Sequence, residues 1–285
     1  MEKRTTEKLT SPLRCSVLAN RAVALSHHAA TRWARLDPVD HSTESTDPKD
    51  RLAVALDLPD THHALALVDR LENSCRWFKV GMELYYASGN SFVETLRNRG
   101  FQVFLDLKLH DIPNTVAGAV RSVTKAGASL LTIHAGGGPA MMAAAAEAAS
   151  LPGAPRLLAV TVLTSMDAAE LTAVGVAASP AEQVLRLARL AQSAGIDGMV
   201  CSPEEVGALR AELAPETMLV IPGIRPAGSD ADDQRRIATA AEAITRGASM
   251  LVVGRPITRA TDPATAARAI LQEIALADSQ SALKK

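Results

Sequence analysis

Short apolar runs recur along the chain from Arg51 onward, and each is nearly continuous in aliphatic and branched residues. A strand that is buried on both faces of a parallel sheet has this pattern, because both of its faces must be apolar. Segments of helical period lie between the runs, for example at residues 62–73 and 180–195, and another follows the last run at 263–277. The eight runs are RLAVALD (51–57), WFKVG (77–81), QVFLDLK (102–108), SLLTIHA (129–135), LLAVTVL (157–163), DGMVCS (197–202), MLVIPG (218–223) and SMLVVG (249–254).

Eight strand runs, each followed by a helical segment, predict an α/β protein with the (β/α)8 TIM-barrel fold. Parallel strands need crossover helices, and eight such units can close a sheet with no open edge. The competing architecture is an open doubly wound sheet, in which a glycine-rich turn after the first strand binds a nucleotide. Here the first run ends in LDLPD (56–60), which contains no glycine, and the GGG at 136–138 lacks the rest of that fingerprint. The pattern therefore favours the barrel.

The N-terminal part of the chain differs in composition from the segment that follows it. Residues 8–36 contain four arginines and no acidic residue, which is typical of an organellar targeting segment, although acidic residues precede them. We expect residues 1–48 to be a disordered N-terminal extension, with a targeting segment or a misplaced start as the alternatives. Residues 49–278 are then a single catalytic barrel domain, and residues 279–285 are a C-terminal tail.

Charge and cysteine content exclude several classes of protein. The chain has 285 residues and a formal net charge of -1, so it has no overall basic field for nucleic acid or anionic membranes. No apolar run approaches the roughly 18 residues that span a bilayer. Cys15, Cys75 and Cys201 are scattered rather than paired at metal-ligand or redox spacing, which favours a reducing compartment. We expect a cytoplasmic protein with neither a nucleic-acid nor a membrane partner.

Charged residues stand at the ends of the first three predicted strands. Asp57 closes the first run, Lys79 interrupts the second, and Asp106 and Lys108 end the third, with Asp111 just beyond. Asp106 and Lys108 are two residues apart, so alternation predicts that they share one strand face. Such charges are costly inside apolar strands unless they are paired. A network that only closes the barrel mouth is the alternative, but this many charges at adjacent strand ends favours a catalytic site.

The seventh and eighth runs end in residues suited to phosphate. Arg225 follows run seven in IPGIRP (221–226), and Gly254 and Arg255 follow run eight in VVGRPIT (252–258). In this fold, phosphate sites are often built after these two strands from backbone N–H groups and a helix N-terminus, and arginine adds bidentate contacts. The alternative is two surface arginines beside Gly/Pro turns. Together with the charges on runs one to three, these residues indicate a small phosphorylated substrate.

Neither His134 nor the spacing of potential metal ligands indicates a further catalytic group. His134 ends run four, where it could act as a base or be a hydrogen-bonded core histidine, and we favour the core role. No set of His, Asp and Glu residues has recognisable metal-ligand spacing, although Asp57, Asp106 and Asp111 could in principle hold Mg²⁺. We therefore expect no metal site.

The motif DLKLHDIPNT (106–115) makes the chain resemble the orotidine 5′-phosphate decarboxylase family. Further matching motifs arrive in family order between about Arg51 and Ala277, whereas the segment before Lys49 has no counterpart in the family pattern. HAGGG (134–138) departs from the usual small polar residue at Gly136. The further motifs are LDLPD (56–60), FKVG (78–81), VLTSM (162–166), PGIRP (222–226), DDQRR (232–236) and VVGRPIT (252–258).

The resemblance implies a cofactor-free and metal-free decarboxylase that converts orotidine 5′-phosphate to UMP in de novo pyrimidine biosynthesis, as a homodimer with shared active sites. It implies that Lys108 protonates C6 of the pyrimidine and that Asp106 faces the substrate carboxylate. The implied catalytic residues are Lys79, Asp106, Lys108 and Asp111. The implied substrate ligands are Asp57 and Lys79 for the ribose, Thr164 and Ser165 for the pyrimidine, Arg225, Gln234, Gly254 and Arg255 for the phosphate, and Asp111 and Thr115 from the partner subunit.

Two other functions stay open at this point. One is a Mg²⁺-dependent aldolase similar to 3-hexulose-6-phosphate synthase, which shares the Asp-x-Lys-x-x-Asp pattern; LTSM and the two phosphate motifs favour the decarboxylase. The other is an inactive nucleotide-binding barrel, but Asp106, Lys108 and Asp111 are all present. The polar stretch 227–234 after run seven is expected to be a lid that closes over the substrate.

Overall fold

The computed structural model describes residues 47–226 and 236–282. Eight parallel strands form a closed barrel in chain order, and the last strand pairs with the first. The predicted (β/α)8 fold is therefore confirmed, and each predicted apolar run overlaps one strand. The strands are β1 (Leu52–Ala55), β2 (Trp77–Gly81), β3 (Gln102–Leu109), β4 (Leu130–His134), β5 (Arg156–Val160), β6 (Gly198–Val200), β7 (Met218–Ile221) and β8 (Met250–Val253).

Helices follow every strand and surround the barrel. Within the described residues, β2, β5 and β8 are each followed by two helices rather than one, and single turns of 3₁₀ helix cover Pro48–Arg51 and Ala135–Gly137. The helices are α1 (Thr61–Arg70), α2 (Met82–Ser88), α3 (Asn90–Asn98), α4 (Pro113–Ala126), α5 (Gly138–Ala149), α6 (Ala168–Ala173), α7 (Pro180–Ser193), α8 (Val206–Glu212), α9 (Ala240–Thr245), α10 (Arg255–Thr258) and α11 (Pro263–Ala282).

Local sequence explains where several helices begin. Ser179 and Glu182 form a reciprocal capping box at the start of α7, and Thr239 and Glu242 do the same for α9. Each box satisfies two backbone N–H groups that have no partner inside the helix. The two capping boxes therefore set the first residues of α7 and α9. They thereby set where the segments that connect β5 to α7 and β7 to α9 end.

The core has two parts. One lies between the strands and the helices, and the other consists of strand side chains from six of the eight strands and fills the barrel interior. Ala55 and Phe104 belong to this interior cluster, and both are in register with Lys79. The charged residues therefore stand on the same inner face as the apolar plug and directly continue it at the barrel mouth.

The structure describes part of the expected N-terminal extension and part of the expected C-terminal tail. The expected extension, residues 1–48, lies outside the described residues except for Asp47 and Pro48. The Asp47 side chain accepts a hydrogen bond from the backbone N–H of Lys49, and it pairs with Arg76 at 2.9 Å. At the other end, α11 continues to Ala282, so that the first part of the expected tail 279–285 is helical. In the described part of the chain, no helix combines the length and apolarity needed to cross a membrane.

Candidate active site

A cavity of about 840 Å³ opens at the C-terminal ends of the barrel strands. Active sites of this fold lie at this face, because the loops that follow the strands converge there. The cavity brings together most of the residues that the sequence predicted for the site. Those that line it are Asp57, Lys79, Asp106, Lys108, Thr164, Ser165, Arg225, Gly254 and Arg255.

Lys79 is the buried centre of the charged group. Its ammonium nitrogen lies 2.8 Å from Oδ1 of Asp57 and 3.5 Å from Oδ2 of Asp106, and the residue is 8% exposed. Burial favours the neutral form of a lysine, but the carboxylates of Asp106 and Asp57 outweigh it and raise the pKa of Lys79 above 10.5. Lys79 is therefore a permanent cation between two carboxylates.

Asp106 and Lys108 extend this pair into a row of alternating charge. The Lys108 ammonium donates to both carboxylate oxygens of Asp106, at 2.8 and 2.9 Å. Burial opposes ionisation of Asp106, but the neighbouring charges of Lys79 and Lys108 hold its pKa below 3.8. The row runs Asp57–Lys79–Asp106–Lys108, and Lys108 is the cation more accessible to the cavity, with 30% of its side chain exposed against 10% for Lys79.

Gly81 was not predicted from the sequence, and its lack of a side chain leaves room for the ion pair of Asp57 and Lys79. A Cβ atom at Gly81 would lie 3.1 Å from Oδ1 of Asp57 and 3.2 Å from Nζ of Lys79. Both distances are closer than ordinary van der Waals contact, so a side chain here would press on the ion pair. The available signal was the position of the glycine two residues after Lys79, on the same strand face.

The predicted contact between Asp106 and Lys108 is confirmed, but regular strand alternation does not produce it. In the ladder of β3 with β4, Leu105 pairs with Leu131 and Leu109 with Ile133, so residues 106–108 are opposite one residue. Such an irregularity re-aims side chains, as bulges beside active sites commonly do. Lys108 itself has a φ of 48°, a left-handed conformation that is uncommon for a residue with a side chain.

Thr132 is the residue of β4 opposite this irregular segment, and sequence reasoning did not single it out. Its hydroxyl accepts a hydrogen bond from the backbone N–H of Lys108 at 2.8 Å and donates to Oδ1 of Asp106 at 3.0 Å. The side chain is completely buried. The only signal in the sequence was a hydroxyl residue inside the apolar run LLTI.

The arginines follow β7 and β8, and β8 pairs directly with β1, the strand that Asp57 follows. Arg225 is buried, its backbone N–H donates to Ala238 O at 2.9 Å, and its guanidinium donates to Ile224 O at 2.9 Å. Gly254 and Arg255 begin α10 directly after β8. Gln234, the fourth predicted phosphate ligand, lies outside the described residues, as does the predicted lid at 227–234.

A buried ion pair supports the loop that carries Thr164 and Ser165. Arg236 pairs with Glu205, and its second guanidinium nitrogen donates to the carbonyl of Leu163 at 3.0 Å. Both charged side chains are at most 10% exposed. The ion pair thereby fixes the backbone immediately before the predicted pyrimidine ligands. The sequence gives little indication of this pair, because its two members are 31 residues apart.

Asp111 and Thr115 do not join the cavity of their own chain. Both are exposed, and the Asp111 carboxylate accepts from the backbone N–H of the following residue, Ile112, at 2.6 Å. The neighbouring Ile112 is exposed as well, at 67%. The predicted contribution of these residues to a partner's site stays a prediction.

His134 has the character of a hydrogen-bonded structural residue. Its Nδ1 accepts from the backbone N–H of Gly136 at 3.2 Å, and its ring stacks on His110 with centroids 5.2 Å apart. Burial, together with the charges of His110 and Lys108, lowers the pKa of His134 below 6.5. The ring is therefore neutral at physiological pH and its Nδ1 is already engaged.

Among the described residues, one group of three potential metal ligands converges, and it lies outside the cavity. Asp60, His62 and His63 place ligand atoms within 4.8 Å of one another at the start of α1. The Asp60 carboxylate already accepts from the backbone N–H of His63 and bonds to its ring. Asp57 and Asp106 instead face lysines, which occupy the positions that a cation would take.

The closed barrel, with a charged cavity at the C-terminal ends of its strands, is the architecture of a (β/α)8-barrel enzyme. The sequence model of the orotidine 5'-phosphate decarboxylase / HUMPS family matches residues 50–270. The chain therefore belongs to this family, as the sequence motifs predicted.

Individual relatives agree with this assignment. The chain is 53% identical over 233 residues to the orotidine 5'-phosphate decarboxylase of Moorella thermoacetica, covering 79% of this chain and 92% of that protein. It is 54% identical over 228 residues to the enzyme of the same name from Halorhodospira halophila, covering 80% and 97%. The crystal structure of orotidine 5'-phosphate decarboxylase from Lactobacillus acidophilus superposes with a TM-score of 0.71 at 39% identity, covering 79% of this chain and 99% of that one.

Proposed function

We propose that this protein decarboxylates orotidine 5′-phosphate to UMP in de novo pyrimidine biosynthesis, and that Lys108 delivers the proton to C6. The observation that carries the proposal is the row of alternating charges Asp57–Lys79–Asp106–Lys108 at the barrel mouth, with Lys79 and Asp106 largely buried at its centre. Relatives that share more than half of the aligned residues carry the name of this decarboxylase, which supports the same substrate here.

The reaction breaks the bond between C6 and the carboxylate carbon. CO₂ leaves, and the electron pair of the broken bond stays on C6, where no conjugated group can accept it. The barrier of such a reaction is very high, and enzymes lower the barriers of such slow reactions by up to about 23 kcal/mol. A fixed cation beside C6 stabilises the developing charge without reorganisation. The ammonium group of Lys108 supplies that charge, then transfers a proton to C6 and recovers one from solvent.

Asp106 has a different role. When the substrate carboxylate lies beside it, two like charges about 4 Å apart repel by about 4 kcal/mol at an effective dielectric constant of 20. This repulsion disappears when CO₂ leaves, but it is much smaller than the required reduction of the barrier. Ground-state repulsion therefore assists, and stabilisation by Lys108 supplies the larger part.

The rest of the cavity holds the nucleotide. Asp57 and Lys79 bind the ribose hydroxyls, Thr164 and Ser165 contact the pyrimidine, and the groups after β7 and β8 bind the phosphate. The phosphate ligands in this proposal are Arg225, Gln234, Gly254 and Arg255. Binding energy at the phosphate can be used to align the distant reacting carbon, which raises turnover as well as affinity.

We further propose that the active unit is a homodimer in the cytoplasm, with Asp111 and Thr115 of each subunit completing the site of the other. Exposure of both residues and of the neighbouring Ile112 supports this arrangement, because an apolar side chain at the barrel mouth gains by being covered. The buried, free thiols of Cys75 and Cys201 are compatible with a reducing compartment.

A Mg²⁺-dependent aldolase is the second candidate, since the matching family includes HUMPS proteins. Two observations favour the decarboxylase. The relatives named above are all decarboxylases, and the carboxylates of Asp57 and Asp106 are already neutralised by Lys79 and Lys108. A divalent cation would have to displace an ammonium group from each of them.

The test is to incubate the full-length protein with orotidine 5′-phosphate and to follow the loss of substrate absorbance with and without excess chelator. UMP and CO₂ are identified as products. We expect equal rates in both samples. Absence of UMP formation, or a rate that falls with the chelator and returns with Mg²⁺, would contradict the proposal. Lys125→Ala, which removes an exposed lysine at the end of α4, is a matched control for variants of Lys108.

A further inference from the structure

The contact between β3 and β4 contains an unusual segment next to the proton donor. Residues 106–108 of β3 are opposite Thr132 alone, and Lys108 has a left-handed backbone conformation with a φ of 48°. A residue with a side chain keeps such a conformation only where its surroundings impose it. The hydrogen bonds around Lys108 therefore have to hold its backbone in place.

One hydroxyl group makes the connection. Thr132 Oγ1 accepts from the backbone N–H of Lys108 at 2.8 Å and donates to Oδ1 of Asp106 at 3.0 Å. A hydroxyl has one donor and two acceptor positions, so it can make both bonds at once. A valine of the same shape can make neither, and burial prevents water from taking its place.

We propose that Thr132 is a positioning residue for the reaction: its hydroxyl holds the backbone of Lys108 and the carboxylate of Asp106 in one fixed relation. This inference rests on the proposed function. Thr132 does not line the cavity within the described residues, so it acts through these two neighbours rather than on the substrate.

The position of Thr132 leads to a specific kinetic signature. The described phosphate and ribose ligands lie on or after β1, β2, β7 and β8, and the hydrogen bonds of Thr132 go to β3 instead, so substrate affinity should change little when the hydroxyl is removed. The ammonium of Lys108 would shift relative to C6, and misplacement by about 1 Å can cost up to about a hundredfold in rate. Loss of the hydroxyl should therefore lower kcat and leave KM nearly constant.

The test compares Thr132→Val with Thr161→Val in the full-length protein, measuring kcat, KM and melting temperature. Thr161 is a matched control, because it is also a fully buried barrel threonine, directly after β5, but its hydroxyl donates to the backbone carbonyl of Val200 at 3.0 Å. We expect Thr132→Val to lose at least about tenfold in kcat with KM changed less than about threefold. Thr161→Val should keep kcat within about threefold of the wild type.

A second pair keeps the test decisive if Thr132→Val does not fold. Thr132→Ser retains the hydroxyl and Thr132→Ala does not, while both lack the methyl group. We expect the serine variant to have at least about fivefold higher kcat than the alanine variant at equal folded concentration. Equal kcat values in this pair, or a Thr132→Val enzyme as fast as the wild type, would overturn the inference. A wild-type enzyme without decarboxylase activity would instead contradict the proposed function.

Discussion

The ammonium nitrogen of Lys108 lies within 2.9 Å of both carboxylate oxygens of Asp106. The proposed proton donor and the group that faces the departing carboxylate are thus one ion pair, set on a buried strand. Burial opposes ionisation of Asp106, and the neighbouring positive charges of Lys79 and Lys108 keep its carboxylate ionised. The charge of Asp106 therefore depends on the two lysines that contact it.

Asp106→Asn should weaken the dependence of stability on acid pH. The pKa of Asp106 is lower in the folded protein than its usual value of 3.8, so the folded state binds fewer protons in this range. The stability that the carboxylate contributes is therefore present above that value and is lost as the pH falls through the folded-state pKa. Urea unfolding from pH 7 down to pH 3 should show a smaller loss in Asp106→Asn than in the wild type.

Asp69→Asn is the control for this experiment, because it removes a carboxylate whose side chain is 63% exposed. Its pH dependence should match that of the wild type. If Asp106→Asn lost as much stability on acidification as the wild type, the proposed electrostatic support of Asp106 would be wrong.

Mixing two inactive variants tests the shared site. Lys108→Ala and Asp111→Ala subunits should restore activity when combined, because one site of each mixed dimer carries both changes and the other carries neither. With free exchange at equal amounts, about half of the dimers are mixed and about a quarter of all sites are intact. If exchange is demonstrated by labelled subunits and no activity returns, Asp111 acts within its own chain.

The Glu205–Arg236 pair should contribute strongly to stability. Arg236→Met leaves the buried Glu205 carboxylate without its cation, and removal of one partner of a buried pair costs about 3–5 kcal/mol. Arg189→Met is the matched control, since Arg189 pairs with Glu212 at 2.8 Å on the surface, where a pair contributes about 0–1 kcal/mol. Urea unfolding measures both. Similar losses in the two variants would show that burial does not set the energy of this pair.

The site and the fold differ in how far the sequence could predict them. The eight strands could be predicted from continuous apolar runs. The meeting of charged residues at the barrel mouth could be predicted from their positions at the ends of those runs, because both patterns are read from neighbouring residues in the sequence. The register of β3 against β4 is not local, because it depends on which residues of two strands pair. Thr132 and Arg236 were missed for this reason: each acts on a residue more than 20 positions away, which no periodic pattern encodes.

The N-terminal boundary of the barrel domain can be placed by truncation. A protein that starts at Asp47 should keep the wild-type activity and melting temperature, because every described barrel element follows that residue. A protein that starts at Lys49 loses the Asp47 side chain, which caps the Pro48–Arg51 turn and pairs with Arg76. Loss of a cap costs about 1 kcal/mol, which lowers the melting temperature by about 2–4 °C in a domain of this size. Equal melting temperatures for the two truncations would contradict this boundary.

The turnover number of Lys108→Ala, measured with orotidine 5′-phosphate beside the wild type and Lys125→Ala, tests most directly whether Lys108 is the proton donor. A general acid contributes at least about a hundredfold to rate, and Lys108 also stabilises the developing charge at C6. We predict that Lys108→Ala keeps the fold by circular dichroism and less than about a hundredth of the wild-type turnover, while Lys125→Ala stays fully active. A folded Lys108→Ala enzyme that retains more than about a hundredth of the wild-type turnover would contradict the assigned role.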